Sequence, residues 1–99
     1  MRRITRTALA DQDFHDIVDY LSERSEPAAD RFTAELADQL RLLAGQPRMG
    51  RPRDDLKAGV RSAVVGRYVV FYRFTDDELV VLRIIHGSRD ISAEFGDPG

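Results

Sequence analysis

Val60 to Asp90 reads VRSAVVGRYVVFYRFTDDELVVLRIIHGSRD, and this stretch decides the fold. Val60 to Val65, Tyr68 to Phe74 and Leu79 to Ile85 are rich in β-branched and aromatic residues, the composition of strands. Gly66-Arg67 and Thr75-Asp76-Asp77-Glu78 separate them, and both breaks carry turn chemistry. Three short-linked strands predict an antiparallel meander. Within it Tyr68, Val70, Tyr72 and Phe74 share one face, with Val69, Phe71 and Arg73 on the other. In the next strand Val80, Leu82 and Ile84 oppose Leu79, Val81, Arg83 and Ile85. A half-exposed sheet alternates apolar with polar; this one is apolar on both faces.

Upstream, Ala10, Phe14, Ile17, Val18 and Leu21 recur at helical spacing with Thr7 as N-cap. Asp11 and Asp13 fall near the helix N-terminus, where negative charge is favoured. After a break at Ser22 to Glu26, Pro27 marks a second start, and Ala29, Phe32, Leu36, Leu40 and Leu43 form its stripe. Gly45 and Pro47 end that helix, and the short link predicts a helical hairpin. Arg2 to Arg6 is a short candidate strand, and Gln46 to Gly59 is the one real loop. The expected fold is α+β. An N-terminal strand and an antiparallel helical hairpin pack on one face of a small antiparallel β-sheet, in a single domain over residues 1–99. Ile91 to Gly99 is expected to be a frayed tail. Two helices blanket one sheet face only, so the other is expected to present apolar residues and arginines to a partner.

The chain has 99 residues, no cysteine and a formal net charge of −2. That excludes a disulfide framework and a thiolate zinc site, and argues against a general nucleic-acid binder. No apolar run reaches membrane-spanning length, so a cytoplasmic protein without a membrane partner is expected. Charge is uneven: residues 48–73 hold seven Lys or Arg against Asp54 and Asp55. His15 and His86 stand far apart with no carboxylate at ligand spacing, so no metal or other cofactor is expected. Tyr68 and Tyr72 read as core residues with a wet hydroxyl.

Several stretches together resemble the ParE-type toxins of the RelE/ParE superfamily of bacterial toxin–antitoxin systems. They are Asp13-Phe14 to Tyr20-Leu21, Ala29-Asp30-Arg31-Phe32, Pro47-Arg48-Met49-Gly50-Arg51-Pro52, Gly59-Val60-Arg61-Ser62, Tyr68 to Arg73 and His86-Gly87-Ser88-Arg89-Asp90. The resemblance runs from about Ile4 to Ile91. It implies a RelE/ParE-like fold, a toxin neutralised by a ParD-like antitoxin in a hetero-oligomer, and DNA gyrase as the target. DNA would be contacted only through the antitoxin. Arg61, Arg67, Arg73, Arg83, His86 and Arg89 are the candidate antitoxin- or target-binding residues, because arginine forks suit interfacial carboxylates. Arg61 is expected to point away from the helical hairpin.

The RelE branch implies a second reading, ribosome-dependent cleavage of messenger RNA. Its candidates are Arg61, His86 and Arg89, as phosphate ligands and a proton-transfer group. Those enzymes carry a tyrosine near the C-terminus, where this chain has only Phe95, and the basic loop offers a single lysine, Lys57. The expectation is therefore a toxin that acts by binding, with ribonuclease action as runner-up and an inactive antitoxin-binding module third.

Overall fold

The computed structural model describes residues 1–95. Strand β1 (Arg3–Arg6) leads into helix α1 (Ala8–Arg24) and helix α2 (Glu26–Gly45). A 3-10 turn at Pro47–Met49 precedes β2 (Arg51–Pro52), and the meander follows as β3 (Arg61–Val65), β4 (Tyr68–Phe74) and β5 (Glu78–His86). A short helix, α3 (Ile91–Phe95), comes last among the described residues.

Each helix end has a chemical cause. Thr7 Oγ1 accepts the Ala10 N–H at 3.1 Å and opens α1. Ser25 alone separates the two helices: its N–H closes α1 on Leu21 O at 2.7 Å, and its hydroxyl accepts Ala28 N–H to open α2. Across this one-residue link the two helices pack on each other, with the Phe14 and Phe32 rings 6.4 Å apart. In the β3–β4 turn, Gly66 adopts φ +59° while Arg67 stays at negative φ, the pattern of a II′ turn with glycine first.

The sheet order is β1-β5-β4-β3-β2. The meander is antiparallel as expected, but β1 pairs with β5 in parallel, Ile4 against Leu79. The sheet is therefore mixed. β2, two residues long, pairs Arg51 with Ser62 and Pro52 with Arg61; this edge strand lay inside the expected loop.

Strict alternation in β5 fails at one point. Tyr72 pairs with Val81 and Phe71 with Arg83, leaving Leu82 as a bulge. The phase flips there. Leu79, Val81 and Ile84 join the helix-side core with Val70, Tyr72, Phe32, Leu36 and Leu43, whereas Leu82 and Ile85 lie on the other face.

That other face is not left bare. Leu56, Val60, Phe71 and Ile85 form a second buried cluster, with Val69, Leu82, Ile91 and Phe95 packed around it. The Phe95 ring meets Phe71 edge to face at 5.4 Å. The loop before β3 and helix α3 thus supply the cover that the sequence reading assigned to a partner. Residues 91–95 of the expected frayed tail are an ordered helix; residues 96–99 lie outside the described residues.

Candidate functional site

An open groove of about 990 Å³ lies where the hairpin diverges from the far ends of β4 and β5. One wall is α1, through Asp13, Asp16, Ile17, Tyr20 and Arg24; the first half of α2 adds Ala28, Arg31, Phe32 and Glu35. The opposite wall is Arg67, Tyr68, Arg83, His86, Arg89 and Glu94. A chain of aromatic contacts runs along its floor. Phe32 meets Tyr68 at 5.1 Å, and Tyr68 meets His86 at 5.2 Å, both edge to face. Burial pushes the Tyr68 hydroxyl above its ordinary pKa, with Tyr20 adding to the shift.

An ion-paired corner ties the two walls of the groove together at one side. Arg83 Nε and Nη2 donate to the two carboxylate oxygens of Asp13 at 2.7 and 3.1 Å, with both side chains about 15 % exposed (16 and 15 %). Asp13 also accepts the Ile84 N–H at 2.9 Å, and Thr7 Oγ1 donates to Leu82 O. β1 stops at Arg6, so the edge of β5 beyond it is satisfied by side chains from α1 and its cap. The remaining nitrogen of the fork, Arg83 Nη1, donates to the Glu94 carbonyl and ties α3 to the corner. The hydrogen bonds that Arg83 donates to Asp13 push its pKa higher still, so this arginine is a permanent cation.

His86 is anchored to its own turn. Its Nδ1 accepts the Ser88 N–H at 3.1 Å, with Ser88 Oγ at 2.7 Å, so the neutral ring carries its hydrogen on Nε2. Arg89 pairs with Glu94 at 2.9 Å. Arg24 lies over the Tyr20 ring at 3.8 Å. Among the described residues, Arg31 and Arg67 make no ion pair. The groove thus offers an apolar floor, fixed ion pairs, and two guanidinium groups free for an incoming acid.

Four of the six expected residues, Arg67, Arg83, His86 and Arg89, meet at this groove. Arg61 and Arg73 do not. Arg61 pairs with Tyr72 across the strands, while His86 pairs with Tyr68. The four-residue step along β4 separates them by about 13 Å in the strand direction, and they lie on opposite sides of β4. Arg61 is also in phase with Ala63 and Val65, which pack in the helix-side core, so the expectation that it points away from the hairpin is not met. It bonds the carbonyls of Arg48 and Gly50 instead. Arg73 is exposed near the opposite end of β4. Of the triad Arg61, His86 and Arg89, only His86 and Arg89 line this groove.

Asp13, Tyr20, Arg24, Arg31 and Glu94 were missed as site residues. The spacing of Tyr20 and Arg24, one helical turn apart beside the apolar stripe, was the available signal. Asp13 offered none, because its partner Arg83 is 70 residues away.

A two-helix hairpin packed on a five-stranded mixed sheet, with a groove between them, defines an α+β architecture. The chain superposes on a chain of the chromosomal ParDE system from P. aeruginosa with a TM-score of 0.70 at 22 % identity, covering 87 % of this chain and 96 % of that one. With the E. coli DinJ–YafQ toxin–antitoxin complex the TM-score is 0.61 at 20 % identity, over 96 and 98 % of the two chains. The family model of the ParE toxin of the type II toxin–antitoxin system parDE matches residues 4–91. The chain belongs to that family. It is 38 % identical over 96 residues to Toxin ParE1 of Caulobacter vibrioides, covering 95 % of this chain and 96 % of the relative. Toxin ParE1 of Mycobacterium tuberculosis is 31 % identical over 64 residues, 64 and 65 % of the two chains.

Proposed function

We propose that this ParE-type toxin inhibits DNA gyrase by binding it, performs no covalent chemistry of its own, and is neutralised by a ParD-like antitoxin. Membership of the ParE family over residues 4–91 carries the reading. The separation of Arg61 from His86 and Arg89 supports action by binding over RNA cleavage, which would need those groups around one phosphate. The groove suits an antitoxin segment: apolar side chains for Ile17, Phe32 and Tyr68, and carboxylates for Arg31 and Arg67. Arg83, His86 and Arg89 shape its wall. Toxin and antitoxin act in the cytoplasm as a hetero-oligomer, and DNA is contacted through the antitoxin.

Controlled expression tests it. Growth is expected to stop, plasmids from the arrested cells to lose negative supercoils, and co-expressed antitoxin to reverse both. Arrest with normal plasmid topology would remove gyrase as the target. Messenger RNA cut in the same cells would bring back the ribonuclease reading.

A further inference from the structure

The Pro47-to-Arg51 turn lies at the end of α2 remote from the groove, and two sheet residues fix its backbone. The buried Tyr72 hydroxyl donates to Pro47 O at 2.6 Å and accepts the Gly50 N–H at 3.0 Å. Arg61 Nη1 donates to Arg48 O at 3.1 Å and to Gly50 O at 2.7 Å. At position 50 a Cβ would sit 2.1 Å from the Tyr72 oxygen, so only glycine fits beneath this clasp.

What the clasp presents faces solvent. Met49 is 50 % exposed, and Arg48 and Arg51 beside it are exposed too. Among the described residues neither arginine makes an ion pair. Arg48 lies over the Phe74 ring at 5.6 Å, beside a shallow groove of about 440 Å³. One buried clasp and one at the surface thus order a turn whose Arg48, Met49 and Arg51 side chains point outward from the core. Ordering a loop before it binds removes an entropic cost from binding, and Met and Arg are enriched in interface cores.

We propose that this turn is a second protein-docking epitope. Met49 enters an apolar pocket on the toxin's cellular target, and Arg48 and Arg51 meet carboxylates on the pocket rim. A phosphate backbone would use the arginines but has no place for the thioether, so Met49 decides between protein and nucleic acid. The groove uses the first half of α2, Ala28 to Glu35, and the turn follows Gly45. Antitoxin and target therefore occupy separate ends of the molecule. The inference rests on the toxin reading only for the identity of the partner.

The test uses purified gyrase, the ParD-like antitoxin and plasmid DNA as probes. The full chain is compared with Met49→Ser, with Arg48→Ser/Arg51→Ser, and with the groove variant Arg31→Glu/Arg67→Glu. All three are first checked by thermal melting. Each turn variant is expected to bind gyrase about tenfold more weakly, the effect of losing one interface anchor, with antitoxin affinity unchanged. The groove variant is expected to lose the antitoxin. Turn variants that bind gyrase and arrest growth like the parent would overturn the proposal. So would loss of antitoxin binding in Met49→Ser, or loss of plasmid binding in the arginine variant with Met49→Ser unaffected. If the parent arrests growth without binding gyrase, the gyrase reading falls. The docking claim is then decided by growth arrest, and arrest retained in both turn variants sinks it. A parent that neither arrests growth nor binds gyrase would end both.

Discussion

Tyr72 sits fully buried with both of its hydroxyl roles used, and removing the oxygen leaves the Gly50 N–H and the Pro47 carbonyl without partners. Tyr72→Phe is expected to cost about 1–3 kcal/mol of stability, measured by urea unfolding. Burial pushes this hydroxyl above the ordinary tyrosine pKa. Near and above pH of about 10 the unfolded chain releases a proton that the folded chain keeps. Stability is therefore full below that pH and falls as pH rises through the raised folded value. Tyr72→Phe is expected to shrink this alkaline loss without abolishing it, since Tyr68 is shifted the same way. Denaturation midpoints between pH 8 and 11 would show it, and identical slopes for both proteins would refute the assignment. Arg83→Ala strands the Asp13 carboxylate and releases the Glu94 carbonyl. Its expected cost is about 2–3 kcal/mol, below that of a fully buried pair because water reaches the corner. Neither effect was legible beforehand. The sequence marked Tyr72 as core with a wet hydroxyl, which the fold instead buries on Pro47 and Gly50. It marked Arg83 as a binder, whose partner Asp13 is set by the fold.

The helices were the most legible elements, because Thr7, Pro27, Gly45 and two apolar stripes act locally. The meander was legible for the same reason, through its turn residues. What escaped depends on distant registration. The β5 bulge at Leu82 exists only against the Phe71-Tyr72 step of β4. β1 joins the sheet in parallel only once the hairpin has brought the chain back to β5. Helix α3 is too short for a periodicity argument, and Ile91 with Phe95 was its single trace. A chain ending at Asp90 would uncover Phe71 and Ile85 and take Glu94 from one groove wall. It is expected to bind a hydrophobic dye, to lose about 2–4 kcal/mol of stability, and to bind antitoxin more weakly. A truncated protein as stable as the parent would mean that α3 is not the cover the packing describes.

Charge is segregated across the molecule. The two long helices carry nine acidic side chains against Arg24, Arg31 and Arg41, while residues 48–73 carry the basic excess. Such a charge distribution is expected to orient a charged partner as it approaches. The resemblance carried by the sequence motifs led to the family, and the family match agrees with it over residues 4–91. The sheet's second face was misjudged, because cover from Leu56, Val60 and α3 comes from short segments without a pattern of their own. With that face closed, the groove is the surface proposed for the antitoxin, and stabilisation by the antitoxin is expected to act through it. Free antitoxin at 100 times its Kd is expected to raise apparent stability by about 2.7 kcal/mol, seen as a higher Tm that the Arg31→Glu/Arg67→Glu variant fails to show.

Supercoiling of relaxed plasmid by purified gyrase, with increasing amounts of this protein and with or without its antitoxin, tests the central claim most directly. Inhibition or trapped cleaved DNA, reversed in proportion to antitoxin added, is the predicted result. Full supercoiling activity beside a folded toxin that still binds its antitoxin would contradict it.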